Sequence, residues 1–495
     1  MRKLWAFDLG ASNGRLMVCK FDGERMDLEE THRFENSAIH KNKDLHWNIP
    51  KIIQEMKYGM EKSKGMGHSK IDSMGIDTWG VDFGLLSNKG VLLGNPYCYR
   101  DPSFSEGMKR MLSKKSKEEL FFRTGIEPSH INTLTQLFTL NADNPSLMEK
   151  AKTLLFIPNL LNYLFTGIAV NEFTISSTSQ MLDLRNRRWD SSLLNELNIP
   201  LSILTEVVES CSILGKTLPS INSELFMEGV TVINASGHDT ACAVAALPMK
   251  EKSSLFMSCG TWTLMGLQVP HPIITKESFE YGLTNEGTMD GEYRLQKNNM
   301  GLWLIQQCRS IWKTEGKAPT FEEERLLLNN VSPFRSFIDP DDDLFFNPDN
   351  MVEAIRLYCK KTNQKIPATK GELIACIIES LVFKHRLIAD QLEEVAGYEC
   401  EKIYIGGGGS NNHLYCQFIA NVTNKPVHAG PVEASAIGNS ISQLIALGEI
   451  ASLHQAREIV ESSFKTVIFE PENHQMWQEG FERFLQVIQM IRGGN

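Results

Sequence analysis

The feature that most restricts how this chain can fold is a pattern that occurs twice, half a chain apart. Leu4–Asp8 is a mostly apolar run ending on a carboxylate; a turn from Gly10 to Gly14 follows, and then a second strand-like run, Arg15–Phe21. Leu255–Ser258, Cys259-Gly260-Thr261 and Trp262–Gln268 repeat strand, glycine turn and strand. The two copies share the pattern with little residue identity, and a chain built this way reads as two related α/β halves. Between them, Pro248 to Ser254 is short, polar and broken by proline. That segment puts the boundary near residue 250, with a first domain over 1–249 and a second over 250–495.

Length agrees with two large domains, since 495 residues at roughly 150 per domain would give about three smaller ones or two large ones. With 50 Lys+Arg against 60 Asp+Glu the formal charge is −10. Such a balance argues against a protein whose affinity comes from neutralising nucleic-acid phosphates or an anionic membrane, while a small anion in a cleft stays open. The ten cysteines form no CxxC pair and read as reduced cytosolic thiols. Only four apolar residues, Leu4 to Phe7, precede Asp8, too few for a signal-peptide core. No apolar run reaches the ~18 residues of a membrane span, so the expected location is the cytoplasm, with no membrane partner.

Periodicity and turn residues predict a helix at 49–62, strands at 71–77 and 81–87, and a mostly helical insertion over 103–220. A strand at Val230–Asn234 precedes the small-residue run Thr240–Leu247. In the second half, Gly301–Trp312 reads as a helix, 320–351 as a polar connection and 371–395 as a long helix. Leu373, Ile374, Ile377, Ile378, Leu381, Val382, Leu387 and Ile388 fall at helical spacing there. Lys402–Ile405 reads as a strand, followed by Gly406–Gly409 and a helix at 412–421. A tail helix with Trp477, Phe481, Phe484, Leu485 and Ile488 on one face reads as a cover for the second domain.

Four segments carry residue types suited to chemistry. Asp8-Leu9-Gly10-Ala11-Ser12-Asn13-Gly14-Arg15 puts a carboxylate at a strand end before a glycine turn; backbone N–H groups there can cradle phosphate and the Asp can hold Mg²⁺, or the segment is a plain Asn-Gly hairpin. Asn234 to Thr240 puts Asp239 where a helix begins, either as a base for a substrate hydroxyl or as an N-cap, with His238 beside it as a polyol ligand or a turn residue. Ser258-Cys259-Gly260-Thr261-Trp262 is the counterpart of the first loop. Gly406 to Gly409 removes side-chain bulk between a strand and a helix, for a ring or phosphate or for a tight turn. Gly215-Lys216-Thr217 is no Walker loop, because Ser210 stands where its first glycine belongs. Asp339–Asp343 is no calcium loop, because Leu344 replaces the required glycine, and it reads as a solvated acidic loop.

Jointly, these features resemble the FGGY family of carbohydrate kinases within the actin-like ATPase superfamily. The resemblance runs from Asp8 to about Glu449. It rests most on GIDTWGVDFGLL (75–86), YRD (99–101), GHDT (237–240), SCGTWTLMG (258–266), KNNMGLWLIQ (297–306) and GPVEASAIGN (430–439). Ile157 to Gly167 and Phe173 to Trp189 also resemble family segments, although a lysine common in the first is missing. The fold so implied is α/β, two actin-like (ribonuclease H-like) domains with a nucleotide and sugar cleft between them that closes over the sugar. The activity implied is phosphorylation of a ketose by ATP, with L-rhamnulose at O1 as the leading substrate and L-fuculose or another ketose as the alternative. A non-enzymatic actin-like nucleotide switch is the contrasting class; it has no use for the GHDT turn.

Carried over residue by residue, the resemblance implies Asp239 as general base and Gly80, His238, Asp239, Thr240 and Asn298 as substrate-binding. Asp77, Trp79 and Arg100 are further candidates for the sugar pocket, and for Trp79 core packing is an equal reading. Ala11, Ser12, Asn13, Gly14, Arg15, Thr261, Gln306, Gly408 and Gly409 would meet ATP, with Asp8 near the Mg²⁺. The implied partners are a small ketose and ATP, with no nucleic acid, and the chain would be a monomer or small homo-oligomer.

Overall fold

The first glycine turn is the bend of an antiparallel hairpin. In the computed structural model, which describes residues 1–260 and 262–492, β1 (Arg2–Leu9) pairs with β2 (Asn13–Phe21), Asp8 opposite Arg15 and Leu9 opposite Gly14. With β3 (Met26–Glu35), β4 (Ser73–Thr78), β5 (Ser212–Lys216) and β6 (Thr231–Asn234) they form a six-stranded sheet in the order β5-β6-β4-β1-β2-β3. β1, β4 and β6 run parallel. Parallel strands are covered on both faces, and all six residues of β4 are buried. The parallel register sets Asp8 beside Asp77, so two carboxylates leave adjacent strand ends together.

The Ile49–Gly65 helix packs Ile49, Ile52, Met56 and Met60 into the core, started by Asn48, whose side chain accepts from the Lys51 N–H. A second cover comes from far along the chain. The Ala434–Ala446 helix packs on the Asp239–Ala245 helix so closely that a Cβ on Gly438 would lie 1.9 Å from the Cys242 carbonyl oxygen. Its polar side chains meet the strands. Gln443 Nε2 donates to the Trp5 carbonyl (2.9 Å) and its Oε1 accepts from Ser73 Oγ (2.7 Å). Asn439 Nδ2 donates to Asp77 Oδ2 (2.7 Å).

This return of the chain shapes the domains. One compact unit comprises Met1–Lys250, Gln268–Leu295 and Glu433–Lys465, the other Glu251–Leu267, Gln296–Val432 and Thr466–Asn495. The expected division is one cut near 250; the chain also re-enters the first unit twice. The second re-entry brings the amides that satisfy the buried polar groups of β1 and β4, a role with no signature in the local pattern.

In the second unit, β7 (Ser254–Cys259) and β8 (Trp262–Val269) form a hairpin, Cys259 opposite Thr263. β7 also runs parallel to β9 (Lys402–Gly406), as β1 does to β4. The repeated pattern in the sequence is thus a repeated pairing scheme. β10 (Val427–Ala429) and β11 (Val467–Phe469) extend the series to five consecutive strands, β8-β7-β9-β10-β11. The long helix spans Lys370–Ala396, opened by a reciprocal cap between Thr369 and Glu372 and closed at Gly397, whose φ of +77° suits glycine. Trp477, Phe481, Phe484 and Ile488 of the tail helix are buried, Trp477 against the rings of Phe334 and Phe383.

Two expectations for 320–351 change. A helix occupies Phe321–Asn329, with Thr320 and Glu323 capping each other; the cap and the acidic first turn are start signals that the reading of a polar connection passed over. The acidic loop is not simply solvated. Lys384, 4% exposed, pairs with Asp339 (2.7 Å) and Asp341 (2.9 Å), because a buried ammonium on the long helix needs carboxylate partners. Among the described residues no helix is long and apolar enough to cross a membrane.

Candidate active site

The GHDT turn is held from beneath by a carboxylate. Glu172, fully buried, caps the Phe173–Ser177 helix by accepting from the Thr174 and Ile175 N–H groups. Its Oε2 also accepts from the Gly237 N–H (2.9 Å), and its Oε1 from Ser210 Oγ (2.5 Å). From the other side the Thr78 N–H donates to the Gly237 carbonyl (2.9 Å). His238 therefore enters the Asp239–Ala245 helix from a fixed turn. The N-cap position is His238, and Asp239 is the first helical residue, so Asp239 is free of the capping role and its side chain is 29% exposed. Thr240 Oγ1 donates to its Oδ1 (3.2 Å).

The chain after β4 comes to the same place. A Cβ on Gly80 would stand 3.3 Å from His238 Nε2, so glycine keeps open the space beside the imidazole. Val81 follows at φ +67°, a strained setting for a β-branched residue. It is held by the Asp82 N–H donating to the Gly80 carbonyl (2.9 Å), by its own N–H donating to Thr178 Oγ1 (3.1 Å) and by Thr133 Oγ1 donating to its carbonyl (2.6 Å). Strain of about 1–3 kcal/mol at such a position persists only where surrounding contacts over-determine it. Trp79 is placed by the core. Its ring lies 4.2 Å from that of Trp47, and both indoles donate to Asp82 Oδ2, at 3.0 and 2.6 Å. Burial pushes the Asp82 carboxyl up to about 6, against the donors gathered on it. Arg100 is exposed and placed by Tyr99, its guanidinium 5.3 Å from the ring centre.

His238 also has partners that no local motif announces. Arg294, fully buried, donates from Nη2 to Glu286 Oε2 (2.7 Å) and lies 3.0 Å from His238 Nδ1. Glu286 Oε2 is 3.3 Å from the same nitrogen. His238 Nε2 is 3.5 Å from Asp239 Oδ1. Neither Glu286 nor Arg294 stands out in the sequence; they come from the Thr284–Gly287 and Tyr293–Met300 strands, some fifty residues beyond the turn they meet.

The strand ends carry an excess of negative charge. Burial first, and then the Asp8 carboxylate, push Asp77 well above the usual carboxylate range, with the Asn439 amide opposing. Asp77 Oδ1 is buried with no hydrogen-bond partner among the described residues. Burial also raises Asp239, with His238 opposing and Asp8 adding to the rise. Arg15 bonds Asp8 and Glu433. In the turn itself the Gly10 N–H donates to the Asn13 carbonyl (2.9 Å), and Ser12 and Asn13 are exposed. Gly14 serves packing: a Cβ there would lie 2.3 Å from the Phe34 ring.

The remaining candidates belong to the second unit. Thr261 lies outside the described residues. The Gly260 N–H donates to the Trp262 carbonyl (2.9 Å), and the Gly260 carbonyl accepts from the Leu302 N–H (3.1 Å), which ties the turn to the start of the helix bearing exposed Gln306. Gly409 rests on that hairpin, where a Cβ would lie 2.2 Å from Cys259 Cβ, whereas a Cβ on Gly408 would meet nothing within 4 Å. Asn298 is exposed on the Tyr293–Met300 strand. The second unit thus brings Gly260, the Gln306 helix and Gly409 together, and the first gathers Gly80, His238, Asp239 and Thr240.

Comparison with known proteins places this geometry in context. The N-terminal domain of the FGGY family of carbohydrate kinases matches residues 4–246, and the C-terminal domain of that family matches residues 255–447. A rhamnulokinase of Oceanobacillus iheyensis is 39% identical over 93% of this chain and 96% of its own length. A rhamnulokinase of Bacteroides thetaiotaomicron is 36% identical over 98% and 99%. Among solved structures, the fold is similar to ligand-bound xylulose kinase from Lactobacillus acidophilus, with a TM-score of 0.84 at 13% identity over 100% of this chain and 99% of that one. It is also similar to Plasmodium falciparum glycerol kinase with ADP, with a TM-score of 0.81 at 13% identity over 99% and 98%.

Proposed function

The chain belongs to the FGGY family of carbohydrate kinases, and on that premise we propose that the GHDT turn of its first unit holds L-rhamnulose for phosphorylation at O1. The protein is an ATP-dependent sugar kinase, and its product is L-rhamnulose 1-phosphate, an entry step in the use of L-rhamnose. The observation that carries the site is the convergence on one turn of a part-exposed carboxylate, an imidazole and a glycine-opened space, at Asp239, His238 and Gly80.

Phosphoryl transfer asks mainly for alignment and charge compensation. The O1 hydroxyl lies within ~3 Å of Asp239 and gives up its proton as its bond to phosphorus forms. Thr240 and His238 hold that carboxylate, and Gly80 leaves room for the sugar. The backbone of Ala11 to Gly14, with Arg15, is the first unit's candidate for the phosphates of ATP, and Thr261, Gln306, Gly408 and Gly409 are the second unit's candidates for the nucleotide. The residues fit a divalent cation, because Asp8 and Asp77 stand side by side and one oxygen of Asp77 has no partner among the described residues; Asp8 would hold Mg²⁺, which would supply charge compensation to the transferred phosphoryl group. Asn298 is the second unit's candidate for the sugar, and Asp77, Trp79 and Arg100 are further candidates in the first. The acidic balance and ten free cysteines support a cytoplasmic enzyme of small molecules.

The test is ADP release, followed by a coupled assay, across a panel containing L-rhamnulose, L-fuculose, D-xylulose, L-ribulose and glycerol. L-Rhamnulose is expected to give the highest kcat/KM by at least about tenfold. A flat profile, or a higher value for another ketose, would overturn the substrate assignment.

A further inference from the structure

We propose that Arg294 is a positioning residue that fixes the tautomer of His238, keeping the imidazole hydrogen on Nε2, where it faces Asp239 and the space over Gly80. The inference rests on the reading of the GHDT turn as the sugar site. A guanidinium carries only donors, so the 3.0 Å contact between Arg294 Nη2 and His238 Nδ1 requires Nδ1 to offer a lone pair. In a neutral ring the hydrogen then sits on Nε2. That is the nitrogen 3.3 Å from where a Cβ of Gly80 would lie and 3.5 Å from Asp239 Oδ1. A donor there can meet a sugar oxygen or the carboxylate that takes the proton.

The surroundings show why the arginine is needed. Glu286 Oε2, 3.3 Å from Nδ1, would by itself draw the hydrogen onto Nδ1, which would turn an Nε2 lone pair toward the Asp239 carboxylate. Arg294 occupies both groups: its Nη2 bonds Glu286 at 2.7 Å and covers Nδ1. The charged groups near the ring are then Arg294 and Glu286 on the two strands, Asp239 beside it and Glu172 under the preceding Gly237. Arg294 is not a saturated structural arginine. It is wholly buried, and its Nε and Nη1 have no hydrogen-bond partner among the described residues. Leaving donors of a buried cation unpaired is expensive, so a residue chosen for stability alone would be better paired or apolar.

The experiment combines nitrogen NMR of protein labelled with ¹⁵N-histidine, His238 being assigned by a His238→Asn spectrum, with kinetics of Arg294→Met and Arg294→Lys. In the wild type, Nδ1 is expected to resonate as an unprotonated nitrogen and Nε2 as a protonated one; in Arg294→Met the two exchange. Arg294→Met should raise KM for the ketose about tenfold or more while KM for ATP stays within about twofold, and Arg294→Lys, which keeps a cationic N–H donor, should recover much of the loss. A hydrogen on Nδ1 in the wild type, an imidazolium at neutral pH, an unchanged tautomer in Arg294→Met, native ketose kinetics in that variant, or a Lys variant no better than Met would each overturn the proposal. Should Arg294→Met fail to fold, the wild-type spectrum and the Lys variant decide. A protein that phosphorylates no ketose but shows the Nε2 hydrogen would remove the substrate reading and leave the tautomer assignment standing.

Discussion

Asp239, proposed as the base, is the residue on which turnover is expected to depend most. Its pKa is raised by burial, yet its side chain stays part-exposed, so it reaches a hydroxyl without being strongly basic in isolation. Asp239→Asn keeps the shape and the Thr240 contact but removes the proton acceptor. Turnover is expected to fall about 10²–10⁴-fold, with nucleotide affinity, measured by calorimetry, unchanged within about twofold. Near-native turnover would mean that another group takes the proton. At this scale the sequence was informative where the gathered residues are contiguous: Gly80, His238, Asp239 and Thr240, which meet at one turn, come from two short segments. It was silent where a partner arrives from elsewhere. Glu172, Glu286 and Arg294 are ordinary residues in ordinary strands and helix starts, and their role exists only after β4, the turn and the later strands have met. Trp79 itself commits its ring to Trp47 and its N–H to Asp82.

Among the elements, the long Lys370–Ala396 helix carries an acid in its apolar face. Glu379 is buried, accepts from the Phe334 N–H (3.0 Å), and burial pushes its carboxyl up to about 8. Its ordinary value is 4.5, so between pH 4.5 and 8 the folded state binds more protons than the unfolded one. Stability must fall as pH rises through that window, with the full penalty present above it. Glu379→Gln keeps an oxygen for the Phe334 N–H and cannot ionise. Thermal unfolding should show the variant above wild type at pH 8.5 and level with it at pH 4.5; an equal gap at both pH values would sink this account. The apolar spacing made this helix legible, and the two hairpins were legible from glycine turns between strand-like runs. The Phe321–Asn329 helix was not legible from apolar spacing, and its start is marked by the reciprocal cap between Thr320 and Glu323.

For the molecule as a whole, the two units divide the proposed labour. Hydrogen exchange is expected to slow at 78–82 and 237–240 when L-rhamnulose is added, and at 10–15 and 406–411 when a non-hydrolysable ATP analogue is added. Protection of 406–411 by the sugar alone would contradict this assignment of the glycine-rich turn. The sequence offers one cut near 250, at a polar, proline-broken stretch, and no sign that 268–295 and 433–465 belong with the first unit. Strand pairing and helix seating decide that return, and neither is written in local composition.

That return also sets a timetable for synthesis. The first sheet has all its strands by Asn234, but the helix whose Asn439 and Gln443 satisfy Asp77, Ser73 and the Trp5 carbonyl begins at Ala434. At about 5–20 residues per second, roughly 200 further residues mean a delay of roughly 10–40 s. For that time the nascent chain presents an uncovered sheet face with unpaired amide and carboxyl groups. The first unit is therefore finished late in synthesis, when the Glu433–Lys465 segment returns to it as a latch.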